Sequence, residues 1–118
     1  MHTINIQIGQ HTMVAQLEDN AASRSFIEML PRTFELEDYA STEKVTQLPG
    51  KLSTEGAPAG FEPSVGDITY YAPWGNIAIF YRDFGYSRGL VNLGRIIEGV
   101  EHLNFYGTKS ATFELANK

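Results

Sequence analysis

The sequence contains no cysteine. That absence excludes disulfides, zinc–thiolate sites, iron–sulfur clusters and a thiol nucleophile together. Histidine is scarce, with only His2, His11 and His102. These three show no close ligand spacing, so neither a metal site nor a cofactor is expected. Basic residues are few: 9 against 14 acidic, for a net charge of −5. Neither half of the chain is basic, so nucleic acid and anionic membrane are not expected as partners. No run approaches the roughly 18 apolar residues of a transmembrane helix. Residues 2–8 alternate instead of forming an apolar block, and no basic segment precedes them. A signal peptide is therefore not read, and a cytoplasmic location is expected. Internal repeats, a Gly-x-Ser-x-Gly elbow and a Gly-x-Gly-x-x-Gly fingerprint are all missing.

What is present fits one domain over residues 1–118. The hydrophobic fraction of 42% supplies a core. Aromatic residues make up 12% of the chain, and they cluster. Tyr70, Tyr71, Trp74, Phe80, Tyr81, Phe84 and Tyr86 fall within one short stretch.

Alternation places Ile4, Ile6 and Ile8 on one face of a first strand. Gly9-Gln10 suits a two-residue turn into a second strand from His11 to Leu17, pairing Ile8 with His11, Ile6 with Met13 and Ile4 with Ala15. Asn20 is positioned to cap a helix over 21–30, with Ala22, Phe26, Met29 and Leu30 as its buried stripe and Pro31 as its stop. Phe34 and Leu36 read as a short strand ending at an acidic corner, Glu37-Asp38. Val45 to Leu48 reads as another. Residues 49–66 hold seven glycines and prolines, the composition of a long loop. A strand near 93–97, a helical turn near 100–105 and a strand at 111–115 complete the chain.

The clearest element is a hairpin over 67–82. Pro73-Trp74-Gly75 suits a three-residue connection with Gly75 left-handed, which pairs Ala72 with Asn76. That register groups Ile68, Tyr70, Ala78, Phe80 and Arg82 on one face. Thr69, Tyr71, Ile77, Ile79 and Tyr81 share the other. Both faces are apolar, so each must be covered or line a cleft. Mainly β structure is therefore expected: a small closed barrel of about eight strands, one main α-helix and a short second helical turn.

The run Tyr70-Tyr71-Ala72-Pro73-Trp74-Gly75-Asn76, continuing to Ile79-Phe80-Tyr81, resembles the signature of small bacterial cyclophilin-like proteins. Leu30-Pro31, Glu37-Asp38-Tyr39, Glu43-Lys44, Gly56-Ala57-Pro58-Ala59-Gly60, Gly66-Asp67, Gly85-Tyr86-Ser87 and Leu93-Gly94-Arg95 agree with it. The resemblance implies a cyclophilin-type barrel and brings no settled function. True cyclophilins are prolyl isomerases whose catalytic arginine sits in a Phe-His-Arg context followed by Gln-Gly-Gly-Asp. Neither block occurs here.

Candidate site residues follow from the hairpin. Phe61, Tyr70, Trp74, Phe80, Arg82 and Phe84 are expected to line a cleft between the hairpin and the 49–66 loop. The leading reading is a non-catalytic module binding a peptide or small molecule there. An alternative is prolyl isomerisation, which needs only an apolar slot and a donor stronger in the transition state, a role open to Arg82. The favoured reading of Arg82 is a surface residue at a strand end whose stem packs on aromatic neighbours. A third reading is an accessory domain that docks to another chain. Trp74 has two readings, an exposed platform or a ring folded back over the barrel end. Glu35, Glu37, Asp38 and Glu43 read as a solvated acidic face, and Asp67 as a turn residue.

Overall fold

The Gly9–Gln10 turn joins β1 (His2–Ile8) to β2 (His11–Leu17) in the expected register, with Ile8 opposite His11 and Ile4 opposite Ala15. The computed structural model describes residues 1–116. After β2 come α1 (Ala21–Ile27), β3 (Arg32–Tyr39), β4 (Glu43–Gln47) and the two-residue β5 (Gly60–Phe61). The central hairpin consists of β6 (Asp67–Tyr71) and β7 (Asn76–Phe80). Short β8 (Ser87–Arg88), β9 (Leu90–Glu98), a 3-10 turn at Val100–Leu103 and β10 (Lys109–Leu115) follow.

Eight strands close into an antiparallel barrel in the order β1-β10-β3-β4-β7-β6-β9-β2. β5 and β8 form a separate two-stranded ribbon. Closure removes the free edges that an open sheet would expose. Ile4, Ile6, Leu17, Leu36, Ile68 and Phe113 fill the interior with no solvent exposure. Phe26 of α1 packs beneath the barrel in edge contact with Phe113. The Asn20 Oδ1 accepts from the Ser23 N–H at 2.8 Å, the expected cap. The Ser23 hydroxyl then donates to the Leu93 carbonyl, fastening the helix start to β9. Where β9 passes β2, Gly94 has φ +156°, and a Cβ there would lie 2.1 Å from the Gln16 carbonyl oxygen. Among the described residues no helix is long and apolar enough to cross a membrane.

Three expectations need correction. The helix ends at Ile27 rather than Leu30. Met29 and Leu30 donate to Phe26 and Ile27, so i to i+3 bonds tighten the last turn. The acidic corner is not a corner, because β3 runs through Glu37 and Asp38. The chain reverses instead at Ala40-Ser41, both with φ +55°, as in a type I′ hairpin turn.

The hairpin register is the third and most consequential correction. Tyr71 stands opposite Asn76, Tyr70 opposite Ile77 and Ile68 opposite Ile79. Ala72 does not pair with Asn76; its N–H donates to the Gly89 carbonyl. The loop therefore has four residues, with Gly75 at φ +69° as expected. A one-residue slip exchanges faces along a strand. Ile68, Tyr70, Ile77 and Ile79 go inside together, while Ala78 and Phe80 join an outer cluster with Leu90. Burying three isoleucines and a tyrosine in the barrel outweighs the shorter loop.

Candidate functional site

The outer face of β4 and β7 carries the site. Outward residues are Glu43 and Val45 on β4, and Asn76, Ala78 and Phe80 on β7. Cross-strand pairing sets Glu43 against Phe80, Val45 against Ala78 and Gln47 against Asn76. Val45 thus forms an apolar floor, with Ala78 buried beside it. Four residue steps separate Glu43 at one end from the Asn76 pair at the other, about 13 Å of strand. Tyr39, Tyr71, Trp74 and Phe84 rise around this floor and enclose a groove of about 260 Å³.

The ring geometry is ordered. Trp74 meets Tyr39 at 5.7 Å and Tyr71 at 5.3 Å, in both cases at 82°. Edge-to-face pairs of this kind are favourable beyond their buried area. Trp74 nevertheless keeps 54% of its surface exposed. It is an exposed ring braced by two tyrosines. Phe84 leans on Phe80 at 6.0 Å.

Glu43, Asn76 and Ser87 are the polar side chains that stand among these rings. Glu43 is the one charged residue among the described residues that line the groove. Its carboxyl is half-buried, and its pKa is pushed up to about 7 by burial first and by the Asp38 carboxylate second. Asn76 is only 8% exposed, and its Oδ1 has no hydrogen-bond partner among the described residues. A buried acceptor without a donor costs free energy. Asn76 also borders a larger open depression on the β3–β4 side.

The six residues expected to share one cleft are divided. Trp74, Phe80 and Phe84 line the groove. Tyr70 does not: it is 1% exposed inside the barrel, where its hydroxyl accepts from the Leu52 N–H. Phe61 packs against the outer cluster and faces a second hollow of about 360 Å³. That hollow lies beside the start of α1 and is where the 49–66 loop contributes, through Gly56, Ala57 and Pro58. Arg82 is exposed and borders a third depression with Asp38, Tyr81 and Phe105. β7 ends at Phe80, so Arg82 is no longer on the strand face that carries Phe80.

The profile of the Cyclophilin-like family matches residues 6–115. The chain belongs to this Cyclophilin-like family. Among solved structures, the solution structure of a hypothetical protein from Archaeoglobus fulgidus superimposes with a TM-score of 0.70. The two share 14% sequence identity, with 98% of this chain and 95% of the other covered. At that identity the likeness is one of fold. The comparison with curated proteins finds no match.

In this cyclophilin-like barrel the acidic residues have separate fates. Glu35 and Glu37 are exposed, and Glu35 accepts from the Ser110 hydroxyl. Asp38 turns toward the opposite side of the sheet from Glu43. There it takes the Tyr81 hydroxyl and the Lys44 ammonium, the latter at 3.3 Å. Lys44 is 1% exposed, donates to the Phe105 carbonyl at 2.7 Å and lies 4.0 Å from the Phe105 ring centre. This network closes one barrel end. The Tyr81 hydroxyl bond first, with Lys44 behind it, holds the Asp38 carboxyl below its usual range; burial, reinforced by Asp38, pushes Tyr81 up to about 12. Asp67 accepts from the Ser64 N–H at 2.8 Å, a turn contact, and burial raises its pKa. His11 and His102 stack at 4.1 Å. Among the described residues no three His, Asp or Glu side chains gather as metal ligands.

Sequence reasoning missed Tyr39, Glu43 and Asn76 as groove residues. The available signal was the two-sided apolar hairpin. Its outer face needs a neighbouring strand, and Glu43-Lys44-Val45 alternates as that neighbour does.

Proposed function

We propose that the protein is a non-catalytic binding module that holds a small, mostly apolar molecule in the groove between Trp74, Phe84 and the β4–β7 floor. The observation that carries this reading is Asn76. Its Oδ1 is buried without a partner at the edge of an aromatic groove, and a turn of the Asn76 amide toward the groove would let a ligand donor satisfy it. An apolar concavity with a few placed polar groups is the usual form of a small-molecule site.

The closed barrel favours a small molecule over a peptide, since a peptide strand adds to an open sheet edge. The volume agrees, being about nine waters at ~30 Å³ each. Arg82 borders another depression, which supports a binding role over isomerisation through that arginine.

The test is a thermal-shift screen of chemically varied small molecules, followed by titration of Asn76→Ala and Trp74→Ala. The expected result is a stabilising hit whose effect both variants weaken. A screen without hits, or hits indifferent to both variants, overturns the reading.

A further inference from the structure

We infer that the groove's ligand is a small organic cation, an alkylammonium whose charged head sits beside Glu43 in the groove that Tyr39, Tyr71 and Trp74 wall. The inference rests on the binding reading above and adds the chemical class of the ligand. Three observations converge. Among the described residues Glu43 is the sole charged residue of the groove lining, so the formal charge they give the site is negative and unpaired. No Lys, Arg or His lies within salt-bridge distance of Glu43 among the described residues, and Lys44 on the same strand is engaged by Asp38. Trp74 stands perpendicular to two tyrosines that line the same groove. Aromatic rings lining a groove that also holds a carboxylate are favourable surroundings for an ammonium group.

A neutral apolar ligand explains the rings and leaves the carboxyl unexplained. A metal ion explains the carboxyl and not the rings. An alkylammonium uses both: its charge meets Glu43 and its methylene or methyl groups meet the aromatic faces. The remaining ligand atoms run along Val45 and Leu90 toward Asn76, where a hydroxyl or N–H donor meets the unpaired Oδ1 once the amide turns toward it. The roughly 13 Å between the two polar ends sets the greatest useful length of such a molecule. The small volume points to a free amine rather than a lysine side chain presented by a protein.

The protonation of Glu43 agrees with this arrangement. The groups around it are Tyr39 and Asp38 on β3, Tyr81 beyond β7, and Lys44 turned to the interior, with Tyr71 of β6 and Trp74 of the hairpin loop farther along the groove. With that surrounding, Glu43 is partly protonated at neutral pH. A cation favours the ionised carboxylate, so binding expels a proton and strengthens from pH 5.5 to pH 8.

Trp74 is the single tryptophan of the chain, so intrinsic fluorescence reports on the groove directly. The probes are choline and its uncharged carbon isostere, 3,3-dimethyl-1-butanol, titrated into the wild-type protein and Glu43→Gln. The expected result is saturable change in Trp74 emission with choline, at least tenfold weaker binding of the isostere, and at least tenfold loss in Glu43→Gln. Circular dichroism confirms that Glu43→Gln is folded. Equal binding of choline and the isostere overturns the cation while leaving the binding module standing. No response to choline also overturns it, and the broader thermal-shift screen then decides separately whether the groove binds anything. A trimethyl-lysine peptide that binds at least tenfold more tightly than choline overturns the free amine as the occupant.

Discussion

Glu43 stands opposite Phe80 in the β4–β7 ladder, with both residues on the outer face of the barrel. The next residue, Lys44, faces Ile79 and the interior. One strand therefore sends a carboxyl into an aromatic groove and an ammonium into the barrel end, two places with opposite electrostatic outcomes. Lys44 has Asp38 and a carbonyl to meet it. Glu43 has no such partner among the described residues, and the fold bears the cost of ionising it.

That cost is measurable through Glu43→Gln. The pKa of Glu43 rises from 4.5 to about 7, so the folded protein holds this proton more tightly than the unfolded chain. The destabilisation is absent below pH ~4.5, grows through pH 4.5–7 and is complete above that. At full weight the shift corresponds to about 3 kcal/mol, and solvent screening of a half-buried group reduces it to roughly 1–2 kcal/mol. Glu43→Gln is expected to be more stable than wild type by that amount at pH 8 and equal to it near pH 4.5. Denaturant melts at both pH values check this. Stabilisation on removing a site residue would also match the usual conflict between stability and function.

Asp38 has the opposite sign. Its carboxyl is held below the usual 3.8 by the Tyr81 hydroxyl and Lys44. Its contribution is present above pH ~4 and is lost as pH falls through the depressed value. Asp38→Asn is expected to cost roughly 1–3 kcal/mol at pH 7, because it leaves the Lys44 ammonium without its counter-charge. The difference from wild type should shrink toward pH 3. Lys44→Met, which replaces the buried cation with an apolar chain of similar length, should cost less than Asp38→Asn.

The β3–β4 turn borders the groove and holds two non-glycine residues at positive φ, Ala40 and Ser41. Such positions cost free energy that Asn-Gly would not. The double variant Ala40→Asn, Ser41→Gly is expected to stabilise the protein by about 1–2 kcal/mol. A thermal melt checks it, and an unchanged or lower Tm contradicts the turn assignment.

The sequence disclosed the barrel more readily than the groove, for a physical reason. Local patterns settle local pairings: Gly9-Gln10 sets the β1–β2 register, and Asn20 sets the helix start. The resemblance carried by the Tyr70–Tyr81 segment named the fold, and the family match bears it out. The groove depends on which hairpin face turns inward. With Ile68, Tyr70, Ile77, Ala78, Ile79 and Phe80 all apolar, alternation alone does not choose. The choice is made by the Ala72–Gly89 backbone bond and by packing across the barrel. For that reason Tyr70 and Phe80, grouped together by the shorter loop, end on opposite faces. Glu43 reads as a solvated acid within a charged run, and only the neighbouring strand shows that it is half-buried.

The most direct test of the account is solution NMR mapping of ligand contacts on the whole chain, using the hits of the small-molecule screen. The account predicts shifts concentrated at Tyr39, Glu43, Trp74, Asn76 and Phe84, including the Trp74 indole N–H. Shifts confined to Gly56–Phe61 in the second hollow, or to Arg82 and Tyr106 in the third depression, would contradict it.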